Sequence, residues 1–448
     1  MNRRLAVRRS AIAALLLFAL LLIPVSLYPC AVSFPEPVFT VSGGPDAPLN
    51  LYAQGRLGIV LPTYYRTYLV VAYRYLSGKS PSKEEQAAFL QAWAPPDYAH
   101  SSVEDGLSIW SKARSAALPS TNYFPPPENI ETYRTVRGGW QEYVNCGDDA
   151  FVNAANTVTS LTKAFGAGSA IVKDWVKGQD TVFENCSPAA APNATPANTT
   201  ELHPFLPAPA AIDNTVLRMD RRYQIAAANF YGGDFQSAAK QFLQIADDQD
   251  SPWRTWAPYL VARCYIREAT LNNPSDAPTN GGTDVPPFDV RQMTAAEKQL
   301  QSILTSPNLA AIHPASRRLL QYVEVRLHPD QRLYDVAQQL AGRTPPDSIA
   351  QDLIDLDWVL RRQINAAGGL KSAKLTQWRE DLAHRGLLDD LTDWIVTYQQ
   401  QGPEALAHAA PEGASPQTTR RCRPGTSQPD HTPGQVRVLL RSTTSSNL

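Results

Sequence analysis

Residues 223–266 decide the fold of this chain, and they read YQIAAANFYGGDFQSAAKQFLQIADDQDSPWRTWAPYLVARCYI. Apolar residues recur at helical spacing on both sides of Gly232-Gly233-Asp234, which has the composition of a tight turn. We expect a first helix from about Val216 to Tyr231 and a second from Phe235 to Asp247. A third helical pattern follows the loop that contains Pro252. The stretch therefore predicts three consecutive helices.

The turn and the second helix resemble the second half of a tetratricopeptide repeat. Gly233, Phe235, Ala238 and Phe242 stand at the spacing of that repeat's turn glycine, turn aromatic, small second-helix residue and second-helix aromatic. In that family the small residue lets two helices approach, and the aromatic fills the groove between neighbours. The first helix departs from the pattern, because Asn229 stands where an aromatic is usual. The resemblance implies that the four matching residues pack a helical repeat.

Further helical patterns lie on both sides of this stretch, without a fixed period. We therefore expect an all-α fold, built as an irregular α-solenoid of tetratricopeptide-like helix–turn–helix units. Ser82 stands three residues before Glu85, which predicts a capping box at the start of one helix. Residues 131–146, ETYRTVRGGWQEYVNC, predict a helix that is broken at Gly138-Gly139. The other patterns lie at 63–76, 103–117, 151–184, 295–304, 314–327, 329–342, 348–364, 375–384 and 387–399.

Residues 1–30 have the composition of a targeting segment. Four arginines between positions 3 and 9 precede an almost unbroken apolar run at 11–28. The run is long for a secretory signal and short for a membrane span, and the basic flank predicts that the rest of the chain is exported. A cleaved signal peptide, a retained membrane anchor and lipidation at Cys30 all stay open. Pro29 disfavours lipidation, because a small residue is usual before such a cysteine.

The cysteines support an oxidising compartment. The chain has five, and Cys146 and Cys186 both follow an asparagine and flank a helical segment that can fold back as a hairpin. We predict that these two form a disulfide. The remaining three are Cys30, Cys264 and Cys422.

Composition divides the chain after residue 30. An N-terminal helical domain at 31–186 is followed by an Ala- and Pro-rich linker at 187–213 and a tetratricopeptide-like repeat domain at 214–400. Residues 401–448 lack periodicity and predict a disordered tail. The apolar face of the last helix, at 389–399, has no partner in the chain that follows it. One hypothesis is that the native reading frame is lost near this point.

The sequence presents no catalytic constellation. The formal net charge is −1, which disfavours nucleic acid as a partner. The scattered histidines and the absence of Cys-x-x-Cys pairs predict neither a metal site nor a cofactor. The aromatic residues of the 253–259 loop predict packing at a helix junction, with a ligand platform as the alternative.

Two functional expectations follow from the pattern and from the resemblance. The chain as a whole resembles exported bacterial envelope proteins with a helical-repeat body, a resemblance that carries no established activity. We expect a non-enzymatic scaffold in the periplasm or cell envelope that binds a partner protein, with membrane contact through residues 1–30. The alternative is a helical accessory or substrate-positioning part of a peptidoglycan-processing enzyme, for which Glu142 is the one candidate acid.

Overall fold

The computed structural model describes residues 43–94, 105–119, 124–127, 130, 132–135, 142–187, 204–272 and 288–401. All but Gly43 belong to a compact unit that spans Gly44–Leu448, and the following description concerns that unit. Its described residues are mostly α-helical, which confirms the all-α prediction. The sheet they contain is a two-stranded ribbon.

The helices and strands follow one another in a simple order. They are α1 (Leu49–Ala53), α2 (Arg66–Leu76), α3 (Lys83–Trp93), α4 (Gly106–Ala117), β1 (Tyr133–Thr135), β2 (Glu142–Val144), α5 (Asp148–Phe165), α6 (Ala170–Glu184), α7 (Thr215–Gly232), α8 (Phe235–Asp247), α9 (Ala257–Leu271), α10 (Val290–Thr305), a 3₁₀-helix (Pro307–Ile312), α11 (His313–Leu327), α12 (Pro329–Ala341), α13 (Pro346–Ala367), α14 (Ala373–His384) and α15 (Asp390–Gln401).

The three helices predicted at 223–266 are present as α7, α8 and α9. Gly233 ends α7 with φ +93°, a left-handed conformation that costs a glycine little. Asp234 then begins α8, because its side chain accepts the backbone N–H of Ser237 at 3.0 Å. The turn therefore follows from two adjacent residues with opposite roles, one that stops a helix and one that starts the next.

The capping box predicted at the start of α3 is confirmed. Ser82 Oγ accepts the N–H of Glu85 at 3.2 Å, and Glu85 Oε2 accepts the N–H of Ser82 at 2.7 Å. Glu85 also accepts two hydrogen bonds from Arg74 at 3.0 and 3.1 Å, and a third from the N–H of Thr344 at 2.8 Å. The capping box thus positions the carboxylate of Glu85, which joins α3 to Arg74 and to the distant Thr344.

The broken helix predicted at 131–146 is wrong. Residues 133–135 and 142–144 form an antiparallel strand pair, in which Tyr133 lies opposite Val144. The hairpin is followed by Cys146 and then by α5, whose N-cap is Gly147. Tyrosine, threonine and valine favour a pleated strand over a helix, so strand propensity prevails here.

The apolar face of the last helix has a partner that precedes it in the chain. The apolar face of α15 packs on α2, more than 300 residues earlier in the chain. Trp394 lies with its ring centroid 5.7 Å from that of Tyr73. Tyr398 donates its hydroxyl to the carbonyl of Val60 at 2.6 Å. The sequence that follows α15 gave no partner because the partner precedes it.

Clusters of buried side chains cross the boundaries predicted from composition. One cluster joins residues between Tyr52 and Phe89 to residues between Val325 and Tyr398. A second joins the disulfide and its surroundings to Leu217 and Ala228 in α7. The division into 31–186 and 214–400 stays a prediction, while burial groups the helices along different lines.

Part of the predicted linker is described, from residue 204 onwards. The N–H of Phe205 donates to Asn185 Oδ1 at 2.8 Å, at the end of α6. A Cβ on Gly232 would lie 2.7 Å from the ring of Pro204, so the linker passes close to the end of α7 as well. Residues 204 and 205 are therefore held against two helix ends.

Several predictions fall outside the described residues. These are the targeting segment at 1–30 with Cys30, most of the linker at 187–213, and the tail at 401–448 apart from its first residue. Among the helices that are described, each is too short or too polar to cross a bilayer.

Candidate functional site

Three of the four residues predicted to pack the repeat lie in one buried cluster between α7, α8 and α9. Phe235 and Phe242 are each 2% exposed and Ala238 is fully buried. Their neighbours in the cluster include Phe230 and Cys264. The ring centroid of Phe242 lies 5.9 Å from that of Tyr223, so this side chain occupies the space between consecutive helices.

The predicted disulfide between Cys146 and Cys186 is present, with the two Cα atoms 5.6 Å apart. It links the end of the β-hairpin to the end of α6. The side chain of Asn145, beside the first cysteine, donates to the carbonyls of Asn185, Cys186 and Tyr231 at 3.0–3.2 Å. The disulfide therefore sits in a junction where the hairpin, α6 and α7 meet.

Arginine side chains of α9 complete this junction. Arg267 donates to the side-chain and main-chain oxygens of Asn145 at 2.8 and 2.9 Å, and its guanidinium lies 4.1 Å from the ring centre of Phe230. Burial, and then the neighbouring guanidinium of Arg263, lowers the pKa of Arg267 to about 10. The guanidinium of Arg267 packs on the ring of Phe230, and its N–H donors bind Asn145. This arginine therefore stabilises the junction and is poorly placed to bind an anion.

A buried carboxylate lies on the other side of α7. Asp220 is 4% exposed, and its two oxygens accept the indole N–H groups of Trp175 at 2.9 Å and of Trp253 at 2.8 Å. The rings of Tyr223 and Trp253 stack at 4.0 Å with an interplanar angle of 17°. Burial raises the pKa of Asp220 above its ordinary value, against the lowering effect of both indole donors.

A small cavity adjoins this carboxylate. It has about 20 Å³ of room, enough for one water-sized group. Its walls come from α5, α6, α7 and the loop before α9. The polar and aromatic lining residues that bear on its chemistry are Asn153, Trp175, Gln179, Asp220, Tyr223 and Trp253.

An open groove lies on the outer side of α8, where α8 faces α9 and the start of α10. It has about 280 Å³ of room. Its wall includes Leu243, which is 39% exposed, and the ring of Tyr265. Lys240 and Glu268 add one positive and one negative charge to the rim. An apolar centre between charged rims is the usual composition of a peptide-binding surface.

The remaining predicted site residues are not brought together. Glu142 lies in β2, opposite Thr135. Within the described part of the chain, no group of three or more histidine, cysteine, aspartate or glutamate side chains could hold a metal ion. Cys264 is buried and reduced, and its thiol has a raised pKa because of that burial.

Sequence reasoning missed both Asp220 and the α8 groove. Asp220 stands in RMDRRYQ, where the surrounding arginines suggest a solvated helix face, and its indole partners lie 45 and 33 residues away. The aromatic loop was a usable signal, because Trp253 does pack at a helix junction while Trp256 stays 48% exposed. Leu243 was a usable signal for the α8 groove, because it is an apolar residue that lies outside the buried face of α8.

Comparison with known proteins adds no relative to this description. The chain matches no family model, no curated protein and no solved structure at a significant level.

Proposed function

We propose that this chain is a non-enzymatic helical scaffold of the bacterial cell envelope that binds a partner protein through the α8 groove. Helices α7, α8, α9 and α10 pack each on the next, which supports an irregular α-solenoid for the body. Arrays of this kind expose long surfaces on which a partner segment can lie. The tetratricopeptide-like residues of α8 support this proposal, because they bury one face of that helix and leave the other free.

The groove itself carries the proposal. An exposed leucine beside the ring of Tyr265 can receive an apolar side chain from a partner, and burial of that side chain would contribute about 1.5–3 kcal/mol. Lys240 on the rim favours an acidic residue next to the apolar anchor, whereas the carboxylate of Glu268 already accepts the side-chain amides of Gln236 and Asn272. We infer that the partner presents an amphipathic segment with an apolar anchor and an acidic neighbour.

The disulfide supports the location outside the cytoplasm. Cys146 and Cys186 are joined, and such bonds form and persist in oxidising compartments. The apolar run at 11–28 supports the same location. The scaffold would accordingly meet its partner in the periplasm or at the envelope.

The test compares substitutions at two exposed aliphatic residues of the full chain. Leu243→Asp places a charge in the groove, and Ile354→Asp places the same charge on α13, where Ile354 is 59% exposed. Both variants should fold, because neither side chain is buried. After formaldehyde crosslinking in the native envelope, we expect the partner to co-purify with the wild type and the Ile354→Asp variant and to be lost with Leu243→Asp.

Two results would contradict the proposal. Retention of every crosslinked partner by the Leu243→Asp variant would remove the groove from the interaction. Clearance of a cell-wall suspension by the purified wild-type protein would make the chain part of a peptidoglycan-processing enzyme instead. The second assay also separates the two functions that the sequence leaves open.

A further inference from the structure

The cavity beside Asp220 is separate from the α8 groove. It lies between α5, α6 and α7, whereas the groove lies where α8 faces α9 and α10. Asn153 of α5 and Gln179 of α6 line it, together with aromatic rings from α6, α7 and the loop before α9. The chemistry of these walls decides what the cavity can hold.

Asp220 is the one charged side chain among the residues that line the cavity. The guanidinium of Arg221 is paired with Asp174 at 3.0 Å, and that of Arg263 is paired with Asp149 at 3.5 Å. Asp220 has no cationic side chain within ion-pair distance among the described residues. Burying a carboxylate is costly, and Arg221 stabilises the charge of Asp220 only from beyond ion-pair distance, so a positive group in contact with Asp220 would add to that stabilisation.

The walls offer one carboxylate, aromatic rings, and amide and hydroxyl groups that can both donate and accept. Both indole N–H groups already donate to Asp220. The side-chain amide of Gln224 donates to the carbonyl of Trp175 at 3.1 Å and to Gln179 Oε1 at 3.2 Å. The charge of Asp220 would repel an anion, whereas a cation would find this carboxylate and the aromatic rings of Tyr223 and Trp253.

We propose that the cavity beside Asp220 binds a protonated primary amine, an R–NH₃⁺ group. The ammonium head has the size of a water molecule and three donors, which matches the room and the acceptors of the cavity. A quaternary ammonium carries the same charge but is too large for that room. The site thus selects by charge through Asp220 and by size through its walls.

Titration of the full-length protein tests this site. Methylammonium chloride is the probe, and tetramethylammonium chloride and potassium chloride are its comparisons at constant ionic strength. Tryptophan fluorescence and calorimetry report binding. We expect saturable binding of methylammonium, and binding of both comparison cations that is about tenfold weaker or more.

Asp220→Asn removes the charge and keeps the size of the side chain, so we expect a loss of methylammonium affinity of about tenfold or more. Asp247→Asn is the matched control, because it is the same substitution at an exposed residue that does not line the cavity, and it should bind as the wild type does. Circular dichroism checks that each variant is folded. If Asp220→Asn does not fold, Trp253→Phe replaces it as the test variant. The preference of the wild type for methylammonium over the two comparison cations then decides the assignment.

Three outcomes would overturn the assignment. Methylammonium that fails to saturate the wild type below roughly 10 mM would leave no site of useful affinity. Equal binding of tetramethylammonium or potassium would mean that the cavity does not select a primary amine. Undiminished binding by a folded Asp220→Asn variant would place the amine elsewhere.

Discussion

Buried carboxylates in this chain differ in the groups that satisfy them. Glu85 and Asp180 are each held by an arginine, Arg74 and Arg114, at 2.7–3.2 Å. Asp389 is 4% exposed, yet no cationic side chain lies within ion-pair distance of it among the described residues. It begins α15 by accepting the N–H of Thr392 at 2.8 Å. Burial raises the pKa of Asp389 to about 6.

This raised pKa makes Asp389 a source of pH-dependent instability. Below about pH 4 the carboxyl is neutral in both the folded and the unfolded chain. Between about pH 4 and pH 6 the carboxyl is ionised in the unfolded chain and still neutral in the folded one, so the free energy of unfolding falls across this range. Asp389→Asn keeps a good helix cap and removes the ionisation, and we expect it to stabilise the protein at pH 7 by up to about 3 kcal/mol. Urea unfolding at pH 4, 5, 6 and 7 measures the difference.

Asp390→Asn is the control for this prediction. Asp390 is the next residue in the chain and is exposed, so its replacement should leave the slope of stability between pH 4 and 6 unchanged. If the stability of the Asp389→Asn variant changes with pH as steeply as that of the wild type, the carboxyl of Asp389 does not titrate between pH 4 and 6.

At the scale of single residues, local signals were predictable and distant partners were not. The Ser82–Glu85 cap is read from four consecutive residues, and the structure has it. Arg332 pairs with Asp352 and Asp355 across two helices, and nothing in the neighbourhood of any of the three indicates burial. A charge on an amphipathic helix faces solvent by default, so a buried pair is visible only once both helices are in place.

At the scale of helices, Phe242 is the residue on which the packing of α8 depends. Its ring is 2% exposed and lies between α7 and α9. Phe242→Ala should cost roughly 3–5 kcal/mol of unfolding free energy, because it leaves a cavity in a closely packed cluster. Thermal unfolding followed by circular dichroism measures the loss.

The adjacent residue provides the comparison for α8. Leu243 is 39% exposed, so Leu243→Ala should change the stability by less than about 1 kcal/mol. A negligible effect of Phe242→Ala, or equal effects of the two substitutions, would mean that this helix is not held by the ring of Phe242.

The elements that sequence reasoning found are those with long periodic patterns. The helices α7 to α9 were expected within a few residues of their ends, because their apolar faces repeat over three or more turns. The hairpin was missed, because strands of three residues are shorter than any period that can be counted. The usable signal was the composition of the strands, since Tyr133, Thr135 and Val144 are residue types that favour strands.

At the scale of the whole molecule, the contacts between the beginning and the end of the described chain were not predictable. Arg66 pairs with Asp357 at 2.7 Å across 291 residues, and the N–H of Thr344 donates to Glu85 across 259. Each segment shows an apolar face, but its pattern does not say which other face covers it. The same ambiguity produced the hypothesis of a lost reading frame after α15. Because α2 packs on α15, the apolar face of α15 is buried by another helix of the described chain.

Trp394 is the residue that tests this closure. It is 2% exposed, stacks on Tyr398 with ring centroids 5.2 Å apart, and packs against Tyr73 of α2. Trp394→Ala should cost roughly 3–5 kcal/mol and should raise the rate of amide hydrogen exchange in α2 and α15 together. The amides of α8 and α9 should keep their protection, because a different buried cluster holds those helices.

Trp256→Ala, at a tryptophan that is 48% exposed, should change neither region. Exchange that rises in α15 alone would mean that α2 is held by other contacts, and the two ends of the described chain would then be neighbours without depending on each other.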